Sequence, residues 1–227
     1  MAGAVCWQIA ALTLAALVPA LPGRAQQPPA AFPAVGQITY GANSPGAAIC
    51  TGTLVAPDLV LTARHCLAGS AEKPMDPAEI RFAAGWADGQ ALASSQGRAV
   101  ILSGLTGLQG DTALLRLATP VLPDAAVPMA LTEGAAAERR FATAAYRRDA
   151  PGRPVVDESC TLVEAAESLL GLGCAVVSGN SGAPLLVWRD GTWQVAAVLV
   201  AQNRAPGPIR AIAVIPDRGL RGHIPAP

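Results

Sequence analysis

Charge is scarce in this sequence. Asp, Glu, Lys and Arg supply only 14% of its 227 residues, and sixteen basic residues balance sixteen acidic ones. A chain with no imbalance offers no electrostatic footprint for nucleic acid or an anionic membrane, so neither is an expected partner. Histidine is rarer still, with two in all. No metal-ligand cluster and no phosphate-binding loop can be assembled from the spacings, so neither metal nor cofactor is expected. No segment keeps a 3.6-residue apolar period over three turns, which excludes a helical bundle. No internal repeat is visible. Disorder is excluded too, because apolar residues make up 52% of the chain, enough to bury a core.

The apolar run from Ala10 to Leu21, broken only by Thr13 and Pro19, is too short to span a bilayer. Its length is that of a secretory signal core, and Gly23-Arg24-Ala25 places small residues where a signal peptidase reads. Residues 1–25 are therefore read as a signal peptide, although no Lys or Arg precedes the run. Residues 26–34, rich in Pro and Ala, form a lead-in. Export would be to the periplasm or the extracellular space, with no membrane anchor. Cys6 leaves with the signal, and Cys50, Cys66, Cys160 and Cys174 remain. An even set in an exported chain suggests two disulfides. Of the three possible pairings, spacing favours Cys50–Cys66 and Cys160–Cys174, each closing a loop of about 15 residues worth roughly 3 kcal/mol in a chain-entropy model.

From Val35 onward, short apolar or alternating runs are punctuated by Gly, Pro, Asn and Asp, the pattern of an all-β protein. Eleven strands are expected: Gly36–Tyr40, Ala48–Leu54, Leu59–Thr62, Ile80–Ala84, Arg98–Leu102, Ala113–Leu117, Arg140–Tyr146, Cys160–Glu164, Pro184–Trp188, Trp193–Val200 and Ile212–Ile215. Ala135–Arg139 and Glu164–Leu169 read as short helical pieces. So many short strands fit a barrel, a sandwich or two small packed barrels. A Pro-rich boundary at Thr119–Pro123 divides residues 35–119 from residues 120–227.

Three segments carry chemistry. Ser178-Gly179-Asn180-Ser181-Gly182-Ala183-Pro184 sets a serine between glycines in a tight turn, with its hydroxyl uncrowded and backbone amides free to converge. Acyl transfer needs an exposed nucleophile and donors facing the oxyanion that forms. The bland reading is an ordinary polar loop. Leu61-Thr62-Ala63-Arg64-His65-Cys66 ends a strand on a histidine, a natural general base at neutral pH, beside a cysteine that would anchor it. The bland reading is a histidine capping a strand. Gly110-Asp111-Thr112-Ala113-Leu114-Leu115 puts a carboxylate at the mouth of an apolar strand, where it needs a partner: a turn amide or an imidazole.

Taken together, in the order His65, Asp111, Ser181, these segments resemble the chymotrypsin-like (trypsin-fold) serine proteases. Cys50-Thr51-Gly52-Thr53-Leu54-Val55 with Leu61–Cys66 is similar to that family's paired cysteines around the histidine, and Trp193–Val200 to the strand after the nucleophile. The resemblance runs from about Val35 to Ile215. It implies two packed six-stranded antiparallel β-barrels with the site in the cleft between them. It implies that Ser181 attacks a carbonyl carbon, His65 relays the proton and Asp111 orients the ring. The amides of Gly179 and Ser181 would form the oxyanion hole. The product of this reading is a monomeric serine endopeptidase acting on peptide or protein substrates.

Three departures from the family pattern bear on mechanism. Asn180 stands where digestive members carry an aspartate that pairs with a freed N-terminal amine, so activation by such insertion is not expected. Asn180 and Cys174 resemble the bacterial glutamyl-endopeptidase-like branch. Val200 replaces a serine behind the triad, and Arg64 a small residue. Counting from Ser181 assigns the specificity pocket to Ala175, Val176, Val200 and Ala201, apolar positions with no carboxylate for a substrate Arg or Lys. The histidine expected for glutamate specificity is not found, and Leu199 lies near its position. Small or medium apolar residues are thus the expected preference, unless Arg204 or Arg210 turns inward and favours an acidic one. The rival readings are a protease fold that has lost catalysis and binds only, and an esterase, which would lack the usual strand-to-helix elbow. Arg139, Arg140, Arg147, Arg148 and Arg153 are read as a solvated surface and His223 as part of an exposed tail.

Overall fold

In the computed structural model, residues 1, 32–40, 50–68, 73–87 and 89–225 are described. The signal peptide read over residues 1–25 and the lead-in at 26–34 lie, apart from residues 1 and 32–34, outside the described residues. Twelve strands make two closed six-stranded antiparallel barrels. The chain has the chymotrypsin-like all-β fold.

The first barrel contains β1 (Val35–Tyr40), β2 (Cys50–Ala56), β3 (Leu59–Thr62), β4 (Ile80–Ala84), β5 (Ala93–Leu102) and β6 (Ala113–Leu117). They close in the order β1-β2-β3-β6-β5-β4. Every residue of β2 and β3 is buried, because one face fills the barrel and the other packs beneath neighbouring segments. Closure removes the sheet edges that would otherwise invite pairing with other chains. The second barrel contains β7 (Arg140–Arg147), β8 (Ala150–Ala166), β9 (Leu169–Leu172), β10 (Pro184–Arg189), β11 (Thr192–Gln202) and β12 (Ala211–Val214). Its ring order, β7-β10-β11-β12-β9-β8, is that of the first barrel. The architecture repeats although the sequence shows no repeat, because the ring needs only apolar alternation and turns, which many sequences satisfy.

Strand expectations hold in place more often than in extent. Glu164–Leu169, read as a short helix, is instead a hairpin: β8 runs to Ala166 and β9 begins at Leu169. The turn carries no Gly, Pro or Asn, and Glu167 itself takes the left-handed conformation at φ 53°. β8 extends far upstream of the expected Cys160, through Pro151 and Pro154. Proline lacks the N–H a ladder requires. These residues fall in an irregularity between the pairs Ala145↔Val155 and Arg147↔Ala150, so the regular ladder is spared. Ala135–Ala137 does form a short 3-10 turn. A four-residue helix, α1 (Arg218–Arg221), capped by Asp217, follows the second barrel. Among the described residues, no helix is long and apolar enough to cross a membrane.

Buried Tyr146 on β7 joins the barrels. Its hydroxyl donates to the Trp86 carbonyl at 2.9 Å, on the first-barrel side. Burial pushes this phenol well above its ordinary pKa.

Candidate active site

His65 and Asp111 are 46 positions apart yet meet because β3 and β6 pair antiparallel, with Thr62 opposite Ala113. The end of one strand therefore lies beside the start of the other. A 3-10 turn at Arg64–Cys66 lifts His65 out of β3, and another at Leu108–Gly110 delivers Asp111 to β6. The Arg64 N–H continues the ladder to the Asp111 carbonyl at 3.2 Å. The Cys50–Cys66 disulfide ties the histidine turn to the head of β2, and Cys160–Cys174 forms the second link. Both pairings are those favoured by spacing.

Asp111 grips His65 twice. Its Oδ1 accepts the His65 backbone N–H at 2.9 Å, and its Oδ2 lies 2.8 Å from Nδ1. The ionised carboxylate can only accept, so Nδ1 carries hydrogen and a neutral ring keeps its lone pair on Nε2. The aspartate side chain is 17% exposed while the imidazole is 46% exposed, so the carboxylate is set back behind a solvent-reachable ring.

The loop that carries Ser181 belongs to the second barrel but is fastened from both sides. The Ser178 carbonyl accepts the Arg148 N–H at 3.0 Å and the Asn180 carbonyl accepts the Ala183 N–H at 2.9 Å. In a planar trans peptide the C=O and the following N–H point in opposite directions. The Gly179 and Ser181 amides are accordingly turned away from these contacts, and among the described residues neither meets an acceptor. Gly179 holds φ at 101°, and a Cβ there would lie 2.3 Å from the Tyr146 carbonyl oxygen. Gly182 is equally constrained at φ 81°, where a Cβ would fall 2.1 Å from both the Thr51 carbonyl oxygen and Thr62 Oγ1. The loop thus docks its backbone against the strands that lead to His65. The Thr51 N–H donates to the Ser181 carbonyl at 2.8 Å across the cleft.

A match to the family described as Trypsin covers residues 21–214. The chain belongs to the trypsin family. No curated protein compared with it matches. Family membership makes it a serine endopeptidase, a hydrolase whose substrate is a peptide or protein.

In this trypsin-family chain the Asn180 side chain is 8% exposed, and its Oδ1 accepts the Val177 N–H at 3.2 Å. It closes its own turn. Val200 offers Asp111 no side-chain hydrogen, and among the described residues the Asp111 carboxylate is bonded to His65 alone. Arg64 reaches away, its guanidinium 3.4 Å from the Leu105 carbonyl oxygen.

A cavity of about 150 Å³ opens beside Ser181, walled by Val176, Leu199 and Ala201, with Ser178, Gln202 and Arg204 among its polar lining. Of the four pocket residues expected from counting, Val176 and Ala201 line it. Ala175 is exposed and Val200 buried, and neither reaches the lining. Val200 is the residue skipped at a register shift between Leu199 and Ala201 and packs into the core with Val198, whereas Leu199 and Ala201 line the cavity. Arg204 is exposed, 3.4 Å from Gln202 Oε1, while Arg210 does not line this cavity. Leu199 and Gln202 were not expected in the lining. The role of Thr51 was also missed. Its only sequence signal was a hydroxyl beside a half-cystine, and its partners are too distant in the chain to read.

Proposed function

We propose that this chain is an exported, monomeric serine endopeptidase using Ser181, His65 and Asp111 as its triad and cleaving after small or medium apolar residues. The observation that carries the reading is the double hold of Asp111 on His65, which dictates the tautomer a general base needs. His65 Nε2 would take the Ser181 hydroxyl proton as Oγ attacks the scissile carbonyl carbon. The resulting oxyanion would sit against the Gly179 and Ser181 amides. The imidazolium, stabilised by Asp111, would then protonate the leaving amine and leave an acyl-enzyme. Water, deprotonated by the same histidine, would release the acid and restore the serine. Loss of one oxyanion donor typically lowers turnover by about 100- to 1000-fold.

The apolar preference is supported by walls of Val176, Leu199 and Ala201 and by a lining that contains no carboxylate. A substrate Arg or Lys would lose hydration there without a charge partner. Two disulfides support export, since such links persist in oxidising compartments. Asn180 and Cys174 support placement near the bacterial glutamyl-endopeptidase-like branch. The Asn180 bond within its own turn supports an oxyanion hole that needs no inserted N-terminus.

The test is labelling of the mature protein with a fluorophosphonate probe, followed by mass spectrometry. The expected result is one adduct, on Ser181, lost in Ser181→Ala and His65→Ala. A wild-type protein that does not label, or labels elsewhere, overturns the reading.

A further inference from the structure

Thr51 is the sole residue between Cys50 and Gly52, wholly buried on β2 in the first barrel, yet its polar atoms serve the second. Its Oγ1 accepts the Tyr146 N–H at 2.9 Å and donates to the Gly179 carbonyl at 3.0 Å. With the one acceptance and the one donation both assigned, the hydroxyl hydrogen has a single direction. Its backbone N–H holds the Ser181 carbonyl at 2.8 Å, and its own carbonyl accepts the Thr62 hydroxyl at 2.7 Å.

We propose that the Thr51 hydroxyl is a positioning residue for the oxyanion hole, holding from the opposite barrel the Gly179–Asn180 peptide that links the Gly179 and Ser181 amides. The inference rests on the protease reading above. Gly179 has two backbone rotations, and the peptides on its two sides determine them. Arg148 pins the peptide before it through the Ser178 carbonyl; the peptide after it is held at its N–H by the Val177 carbonyl at 3.1 Å and at its carbonyl by Thr51 at 3.0 Å. Glycine, here at φ 101°, has the widest conformational choice of any residue type, so a peptide held at its N–H end alone can tilt about Gly179. That peptide lies between the two donor peptides, so its rotation changes the angle between the Gly179 and Ser181 N–H groups without removing Ser181, His65 or Asp111. An oxyanion donor works only if it is already aimed when charge develops. The hydroxyl touches no substrate. It acts through Gly179.

The experiment compares Thr51→Val, which removes the hydroxyl at nearly constant shape, with Thr51→Ser, which keeps it. Thr53→Val is the control: Thr53 is buried on the same strand, and its hydroxyl has no hydrogen-bond partner among the described residues. The expected result for Thr51→Val is a fall in kcat of about 10- to 100-fold. KM and the acid limb of the kcat/KM pH profile, which reports the base, should not move. Thr51→Ser should recover most of the activity, and Thr53→Val should match wild type. A peptide boronate or aldehyde that forms a tetrahedral adduct should lose affinity for Thr51→Val in proportion to kcat. If Thr51→Val does not fold, Thr51→Ala removes the same hydroxyl with less bulk against the same comparison. Full kcat without the hydroxyl, equal damage from Thr51→Ser, or a shifted acid limb would each overturn the inference while leaving the protease reading intact. Wild type that neither labels nor cleaves overturns both.

Discussion

Asp111 binds His65 through both carboxylate oxygens, one on the ring and one on the backbone amide of the same residue. The backbone bond sets where the histidine starts and the ring bond sets where it points. Among the described residues the Asp111 carboxylate has no third contact, so the orientation of the imidazole rests on this pair. Alanine at Ser181, His65 or Asp111 should each lower kcat/KM by several orders of magnitude, and the triple variant should be little worse than the worst single. Asp111→Asn should cost about 10⁴-fold, since an amide cannot accept at both sites in the required tautomer. Multiplicative losses in steady-state kinetics would show that the three do not act as one unit.

Specificity should follow the cavity beside Ser181. Cleavage after Ala, Val or Leu is expected to exceed cleavage after Arg or Glu at least about tenfold in kcat/KM, because each buried CH₂ gains about 0.8 kcal/mol while an unpaired charge loses hydration. A peptide-library profile led by Glu or Asp would implicate Arg204, the cation in the lining. One led by Lys or Arg would contradict a lining without carboxylates.

Two glycines with similar backbone angles should respond very differently to alanine. Gly191 has φ 77° with nothing within 4 Å of an added Cβ, so Gly191→Ala should cost only conformational strain, about 1–2 kcal/mol. Gly182, at φ 81°, would drive its Cβ into Thr51 and Thr62. Gly182→Ala should cost about 3 kcal/mol or more and abolish turnover, since relief requires the nucleophile loop to leave the first barrel. Urea unfolding and activity assays on both variants check this; equal costs would refute it.

Alkaline stability should depend on Tyr146. Burial raises its folded pKa above the ordinary 10.0, so below pH 10 both folded and unfolded states keep the proton. Above that, the unfolded chain releases it while the native state holds it. Stability should therefore decline by up to ~1.4 kcal/mol per pH unit as pH rises past the unfolded value. Tyr146→Phe should start lower by about 1 kcal/mol for the lost bond to Trp86 and show a shallower slope between pH 9.5 and 11. Denaturant midpoints across that range measure it, and identical slopes would rule out this phenol as the cause.

Local chemistry was legible in the chain because it needs only near neighbours. Alternating apolar runs marked most of the strands, and the cysteine spacing marked both disulfides. Flanking glycines marked Ser181 as an uncrowded serine. Where neighbours misled, a backbone interaction had overridden composition. Glu167 makes a hairpin turn that no turn residue announces, and the prolines of β8 survive by occupying a pairing irregularity. Counting along β11 named Val200 for the pocket when its neighbours Leu199 and Ala201 face the cavity.

The sequence alone determined that the chain is all-β, that His65, Asp111 and Ser181 follow one another in the trypsin-like order, and that its four cysteines after Cys6 could pair. The tertiary structure decided what those side chains face. Antiparallel register between β3 and β6 brings His65 to Asp111. Closure of two barrels brings Thr51 to Gly179, 128 residues away. Such contacts arise from the ring order of strands and the absence of a Cβ at Gly182. No local pattern encodes them, because apolar alternation fixes which face of a strand is buried but not which distant strand lies against it.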